Sequence, residues 1–321
     1  MQLTDNETNV RTAVIGVGYF GNLHASKYAA AAGADLIAVC DTDARRAEDV
    51  AARYGARAVT DHRELIGDVD AVSVVVPTRS HFDVARDFLD NGIDVLLEKP
   101  MCENLAQADE LIALAEERGR ILQVGHLERF SPVIQALVEI TDRPGYIETH
   151  RISRFQGRGT DTTVILDMMI HDIDHLLQIA GSPIAQIDAV GVPVLTDAED
   201  IANARIRFEN GCVATVTASR VSWKVKRTLR LFQPDAYIVV DMGENRMVVM
   251  QRTGGDGTPV SLGAEDKTFE PVDLLALQAD HFLECVKTRQ QPIVTGKDVR
   301  PVLAAALEVT DQLRQWRGKL D

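Results

Sequence analysis

"TAVIGVGYFGNLHASKY", residues 12–28, decides the fold. Its first part, "TAVIG", is a short apolar run with the texture of a buried strand. Gly16, Gly18 and Gly21 then stand as G-x-G-x-x-G at the point where a helical pattern begins. Each glycine has a separate mechanical purpose: a tight turn, close approach of backbone to a pyrophosphate, and close packing of helix on strand. A helix that starts there aims free N–H groups and the positive end of its dipole at phosphate. The loop, with Tyr19 and Phe20 inside it, is therefore a candidate dinucleotide site.

Outward from this unit the pattern repeats. Apolar runs at 36–40, 56–60, 71–76, 94–98 and 121–125 are short and nearly continuous, as strands covered on both faces should be. Between them lie amphipathic stretches such as "ARRAEDVAARYG" and "NLAQADELIALAEERG", with Gly55 and Gly119 placed to end helices. Strand and helix in alternation predict a doubly wound parallel sheet over residues 1–125. Asp41, at the end of the second run, is where an acidic side chain should accept the adenosine ribose hydroxyls. It favours NAD over NADP by repelling a 2′-phosphate, and Arg45 and Arg46 just beyond it temper that preference.

Two further strand ends carry chemistry. "VVPTRSH" (75–81) and "LLEKPM" (96–101) each stop at a proline, which places Pro77, Thr78, His81, Glu98 and Lys99 along the carboxyl edge of the sheet, where ligands bind. Lys99 stands out because an oxidised, positively charged nicotinamide beside it favours the neutral amine of a proton shuttle.

"LDMMIHDIDHLLQIA" (166–180) crowds acids and histidines onto one helix. At about 100° per residue, Asp167, His171, Asp174, His175 and Gln178 share one face, with Met169, Ile173, Leu176, Leu177 and Ala180 opposite. His171 and His175 at i, i+4 resemble half of a zinc site, but no third ligand cluster accompanies them and no metal is expected.

From about residue 146 strands alternate polar and apolar residues: "YIETHRISR", "IAQIDAVGV", "ANARIRF", "CVATVTAS", "RTLRLF" and "AYIVVDM". Such strands make an open, mostly antiparallel sheet, with "ENG" (209–211) as a hairpin turn. "LLALQADHFLECVKTRQ" and "RPVLAAALEVTDQLRQW" close the chain as amphipathic helices, and residues 126–321 form a second, α+β domain. Arg158, in the polar stretch "FQGRGTDTTV", is a candidate for a substrate diphosphate. The exposed basic cluster Lys224, Lys226, Arg227 and Arg230 reads more simply as a solvated sheet face.

The totals exclude other classes. A net charge of −14 and a pI near 5.0 disfavour nucleic acid and anionic membranes as partners. The scattered Cys40, Cys102, Cys212 and Cys285 suggest reduced thiols and a cytoplasmic location.

"GVGYFG", Asp41, "VVPTRSH", "EKP" and "DMMIHDIDH", in that order, resemble the oxidoreductase family named for glucose-fructose oxidoreductase, inositol dehydrogenase and MocA. The resemblance implies an NAD-binding domain followed by a substrate domain whose open sheet often makes homodimers or homotetramers. It implies that the histidine-bearing helix lies over the nicotinamide. By position, Lys99 and His171 become the acid/base and substrate-orienting groups, Asp167 a partner of the substrate or of the histidine, and Pro100 a cis-proline. Met169 stands where the family usually has glycine. "VGHLERFSP" (124–132) is similar to the segment in relatives that oxidise the 3-hydroxyl of UDP-N-acetylglucosamine, with Ser131 where they usually have asparagine. That implies substrate contacts for His126 and Arg129. Inositol or a free sugar is the alternative substrate, and an NAD-binding regulator without catalysis the alternative class.

Overall fold

The computed structural model describes residues 9–155, 163–255 and 258–317. The chain divides into two compact units, Met1–Leu127 with Asp273–Pro301, and Glu128–Val272 with Val302–Asp321.

In the first unit, strands β1 (Val10–Ile15), β2 (Ala34–Cys40), β3 (Arg57–Val59), β4 (Ala71–Val74), β5 (Asp94–Leu97) and β6 (Leu122–Val124) form a sheet ordered β3-β2-β1-β4-β5-β6. Every pairing in it is parallel, and β4 and β5 are buried along their whole length. Helices α1 (Tyr19–Ala30), α2 (Ala44–Tyr54), α3 (His81–Asp90) and α4 (Leu105–Glu117) alternate with the strands. Local chemistry sets their ends. The Asp43 side chain accepts from the Arg46 N–H and that of Asn104 from the Gln107 N–H. Gly55 ends α2 with φ 71°, a left-handed conformation that needs no Cβ, and Gly119 follows α4 with φ 60°.

The sequence placed everything beyond residue 125 in the second domain, but the compact first unit also takes in Asp273–Pro301. The reason is burial: helix α5 (Pro132–Ile140) belongs to the second unit, whereas the later helix Leu274–Thr288 presents Ala279, Phe282, Leu283 and Val286 to the core built on β1, β2 and the first helix. Arg289, which caps that later helix, reaches back to Asp94 on β5 (Nη1 to Oδ2 2.6 Å). Asp94 also accepts from the Ile121 N–H, so one buried carboxylate ties three parts of the unit together.

In the second unit, β7 (Tyr146–Ile152), β8 (Ile184–Val192), β9 (Ile201–Phe208), β10 (Val213–Ser219), β11 (Lys226–Gln233), β12 (Ala236–Asp241), β13 (Arg246–Gly255) and β14 (Thr258–Thr268) form a sheet ordered β14-β13-β12-β11-β7-β10-β9-β8. The β7–β10 pairing is parallel and the others antiparallel. β7 alternates buried and half-buried residues, and the "ENG" turn joins β9 to β10 with Gly211 at φ 90°. Helix α6 (Ile170–Ala180) stands before β8. The two C-terminal helices are α7 (Leu274–Thr288) and α8 (Gly296–Arg317), and Gln312 of α8 bonds the backbone of β8 at Ala189 and Ile187. Sequence reading found six of these strands and missed β13 and β14. The two pair along nearly their full lengths, but β14 is an exposed edge strand with three charged residues, Glu265, Asp266 and Lys267, in a row. An edge strand has little apolar signal to detect.

Phe282→Ala should lower the stability of the first unit by about 3–5 kcal/mol, read as a shift in the urea midpoint followed by circular dichroism.

Candidate functional site

The glycine loop has two crowded positions and one open one. A Cβ on Gly16, whose φ is 86°, would come within 2.6 Å of the Val75 carbonyl oxygen, and one on Gly21 would collide with the Gly16 carbonyl. A Cβ on Gly18 would meet no described heavy atom within 4 Å. Protein neighbours thus explain the first and third glycines, while the second borders free space. Among the described residues no side chain caps the N-terminus of α1, and its first turn holds no acid. Beside the loop lies a cavity of about 490 Å³, lined among others by Gly16, Gly18, Asp41, Arg46, Pro77 and Ser80. An uncapped helix start, an open glycine and an acidic side chain at the end of β2 fit a dinucleotide, with pyrophosphate at Gly18 and ribose at Asp41. Tyr19 is exposed at the mouth of the helix, Phe20 packs edge-on against His24, and Thr78 opens the turn after Pro77.

Two residues placed along the cofactor edge by sequence turn inward. His81 is buried, with Nδ1 at 2.9 Å from the Pro100 carbonyl and Nε2 at 2.8 Å from that of Val76. Burial holds its pKa below the usual imidazole value, although the two carbonyls pull the other way. His81 is a clasp between the two strand-end loops, with both nitrogens engaged. Glu98 is also buried: its Oε1 meets His24 Nε2 at 3.2 Å, and its Oε2 accepts the Lys99 N–H. His24 Nδ1 reaches Ser73 Oγ (3.1 Å), which meets the Tyr28 hydroxyl (2.7 Å). Gly125 leaves the room this carboxylate needs, since a Cβ there would run into it. Lys99 follows at the end of β5, joined to Pro100 by a cis peptide bond. His126 is buried in the first unit, its N–H donating to Val124.

In the second unit the ideal helical wheel fails at one place. Ile165–Met169 form a π-helical turn, where the Ile170 N–H donates to the carbonyl of Ile165, five residues back. The extra residue in that turn rotates Asp167 away from the position a regular helix would give it relative to His171. Asp167 and His171 are half-buried, but Asp172, Asp174 and His175 are fully buried, so the polar face is not a wet one. Arg129 donates from Nε to both oxygens of Asp174 at 3.0 Å. Its Nε is thus engaged with a buried carboxylate. Arg151 donates to Asp172 (2.7 Å) and, with two nitrogens, to Glu128 (2.8 and 2.7 Å), whose Oε2 lies 3.3 Å from His175 Nε2. Burial alone would raise the pKa of Glu128, but the charges of Arg151, His171 and His175 outweigh it and hold the carboxyl well below the usual range. His24, Ser73, Glu128 and Arg151 were not singled out by sequence, although His24 lies in the glycine-loop stretch 12–28 and Glu128 inside "HLERF". Arg158 lies outside the described residues. Of the basic cluster, Arg230 is paired with Glu148, in keeping with a solvated face.

The family described as "Oxidoreductase family, NAD-binding Rossmann fold" matches residues 10–126, and the GFO/IDH/MocA C-terminal domain matches 139–244. The UDP-N-acetylglucosamine 3-dehydrogenase of Acidithiobacillus ferrooxidans is 39% identical over 94% of this chain and 96% of its own length. The chain belongs to the GFO/IDH/MocA oxidoreductase family. A crystal structure of that A. ferrooxidans dehydrogenase superposes with a TM-score of 0.89 at 38% identity, covering 95% of this chain and 98% of that one. The scyllo-inositol 2-dehydrogenase (NAD(+)) of Bacillus subtilis is 27% identical over 96% of this chain and 95% of its own length. Scyllo-inositol dehydrogenase from Lactobacillus casei, solved with NAD(H) and scyllo-inositol, shares the fold with a TM-score of 0.82 at 17% identity, covering 96% of this chain and 98% of that one. The family binds NAD through its Rossmann domain, in accord with the fit of the glycine loop and Asp41. Among the described residues no helix is long and apolar enough to cross a membrane, and no three His, Cys, Asp or Glu side chains gather as a metal-binding group.

Gly18→Ala should leave unfolding stability within about 0.5 kcal/mol of the parent chain while weakening NAD+ binding at least tenfold, as calorimetry would measure. Arg151→Met should cost about 3–5 kcal/mol by stranding buried carboxylates. In the parent chain the contribution of Glu128 is present at neutral pH and is lost only as pH falls through its lowered pKa. In the variant the stranded carboxyl takes up protons on folding, so urea unfolding should show stability rising on mild acidification.

Proposed function

We propose that this protein oxidises the 3-hydroxyl of a UDP-sugar, UDP-N-acetylglucosamine first among them, to the 3-keto sugar nucleotide. The observation that carries the reading is the 39% identity to the A. ferrooxidans UDP-N-acetylglucosamine 3-dehydrogenase across nearly the whole of both chains. The inositol dehydrogenases share less, 27% for that of B. subtilis, and make a free polyol the second choice.

Bound NAD+ supplies the hydride acceptor. The rest of the chemistry falls to three side chains that the chain holds on rigid supports. Lys99 presents its amino group at the end of β5, its backbone N–H held on buried Glu98. As an ammonium it stabilises the alkoxide that develops as the hydroxyl proton leaves, and as a neutral amine it takes that proton itself, hydride passing to the cofactor as the carbonyl forms. His171, on a helix whose neighbouring acids are locked by Arg129 and Arg151, has an imidazole suited to accept that proton near neutrality. Asp167, in the π-helical turn before it, orients the substrate or the imidazole. His81, Glu98 and Arg129 support these groups, and Asp41 with the glycine loop anchors the cofactor. A homodimer or homotetramer in the cytoplasm belongs to the same reading, and light scattering tests the oligomer.

Incubation with NAD+ and a panel of UDP-sugars, inositols and free hexoses, followed by the absorbance of reduced cofactor, should show turnover with UDP-N-acetylglucosamine above the others. Tight NAD+ binding without turnover on any of them would instead mark a regulator. Lys99→Ala and His171→Ala should each lower kcat by about 10²- to 10⁴-fold with NAD+ affinity nearly unchanged, and full turnover in both would overturn the assignment.

A further inference from the structure

Four buried side chains form one line that ends at Lys99. The Tyr28 hydroxyl meets Ser73 Oγ (2.7 Å), Ser73 Oγ meets His24 Nδ1 (3.1 Å), and His24 Nε2 meets Glu98 Oε1 (3.2 Å). None of the four is more than 6% exposed. Buried polar hydrogens need acceptors, so counting them gives each bond its direction. Among the described residues the Tyr28 hydroxyl meets only Ser73, and burial pushes its pKa up against the pull of that bond, so it keeps its proton and donates it. Ser73 Oγ, accepting there, has His24 Nδ1 as its one other partner and donates to it. Nδ1 is therefore bare, the imidazole proton sits on Nε2, and the Nε2–H is aimed at Glu98. Both oxygens of Glu98 then accept, Oε1 from His24 and Oε2 from the Lys99 N–H.

We infer that His24 is a positioning residue for Lys99: Tyr28 and Ser73 set its tautomer, and the Nε2–H so aimed holds the Glu98 carboxylate against the Lys99 backbone. The opposite tautomer would turn a lone pair on the carboxylate and drive it away. At its far end the line stops at Tyr28, which is enclosed in the apolar core with Ala25 and Phe282, so it offers a proton no exit to water. It is a fixed brace and not a proton path. Phe20 packs edge-on against His24 and supports the ring from the glycine loop. The brace thus joins α1 to the strand end from which the Lys99 side chain extends, and a reacting group displaced by about 1 Å can lose about 10²-fold in rate. The inference rests on the proposed role of Lys99 with the hydroxyl proton and not on which sugar carries that proton.

Nitrogen NMR of the imidazoles in the 15N-labelled full chain, at about pH 8 where a free imidazole is neutral, reads the tautomer without substrate. The His24 signals are those lost in His24→Gln. The parent chain should show His24 as the Nε2–H form, and Ser73→Ala should admit the Nδ1–H form. Kinetics with NAD+ and whichever sugar of the panel is turned over read the consequence. His24→Leu should lower kcat about 10- to 100-fold with KM for the sugar and Kd for NAD+ within about twofold of the parent chain. His24→Gln keeps an N–H donor and should turn over at least about threefold faster than His24→Leu. Should His24→Leu fail to fold, Ser73→Ala carries the kinetic comparison, with the same fall in kcat alone expected. A proton on Nδ1 in the parent chain, unchanged kcat in the folded variants, no advantage of Gln over Leu, or a joint loss of kcat and NAD+ affinity would each overturn the inference. Absence of turnover on every sugar in the parent chain strikes instead at the proposed function, and the tautomer then decides alone whether His24 braces Glu98.

Discussion

The close approach of α1 to β1 and to the end of β4 is the constraint from which the first unit follows. Gly21 rests against the carbonyl of Gly16, and Gly16 rests against the backbone at Val75, distances at which no Cβ fits. This contact fixes both the height and the rotation of α1. With the helix so placed, its uncapped N-terminus faces the cavity, and His24, three residues past Gly21, points at Ser73 and Glu98 beneath the sheet edge. Glu98 in turn holds the Lys99 N–H. The glycine loop proposed for the cofactor phosphate and the strand end that carries Lys99 are thus set by the same packing contact.

The second unit solves a different problem, which is to bury several charges under one helix. Taking an ion out of water costs several kcal/mol, so each buried carboxylate there needs a dedicated partner. Arg129 serves Asp174, and Arg151 serves both Asp172 and Glu128. With three carboxylates against two guanidiniums, the group retains one negative charge, and His175 lies against it at Glu128. Such a network adds less to stability than an apolar core would, but it admits few alternative geometries. It holds α6, and with it His171, in one orientation. The π-helical turn ahead of α6 then gives Asp167 a bearing that regular helix would not.

Both units therefore separate reactive groups from supporting ones in the same way. The three side chains proposed for the chemistry, Lys99, Asp167 and His171, stand half-buried at a strand end or beside a helix irregularity. Residues one step behind them are buried and fully engaged. His81 and Glu98 are buried with protein partners, and Arg129, half-buried, is held on buried Asp174. A titratable side chain in a ligand-binding motif can equally be a ligand or the brace of a ligand, and only its burial and partners tell which.

What the sequence determined by itself was whatever depends on local order along the chain. Short apolar runs alternating with amphipathic ones gave the parallel sheet, period-two strands gave the antiparallel one, and glycine spacing with Asp41 marked the nucleotide loop. "EKP" and "DMMIHDIDH" singled out Lys99, Asp167 and His171. The tertiary structure decided everything that depends on which distant residues meet. The return of α7 to the first unit, the clamp of Arg289 on Asp94, the line from Tyr28 through Ser73 and His24 to Glu98, and the sharing of Arg151 between two carboxylates join residues far apart in the chain. The physical reason is that periodicity reports which face of an element is buried, whereas a buried charge is satisfied by whichever partner the fold brings to it, and no local pattern encodes that partner.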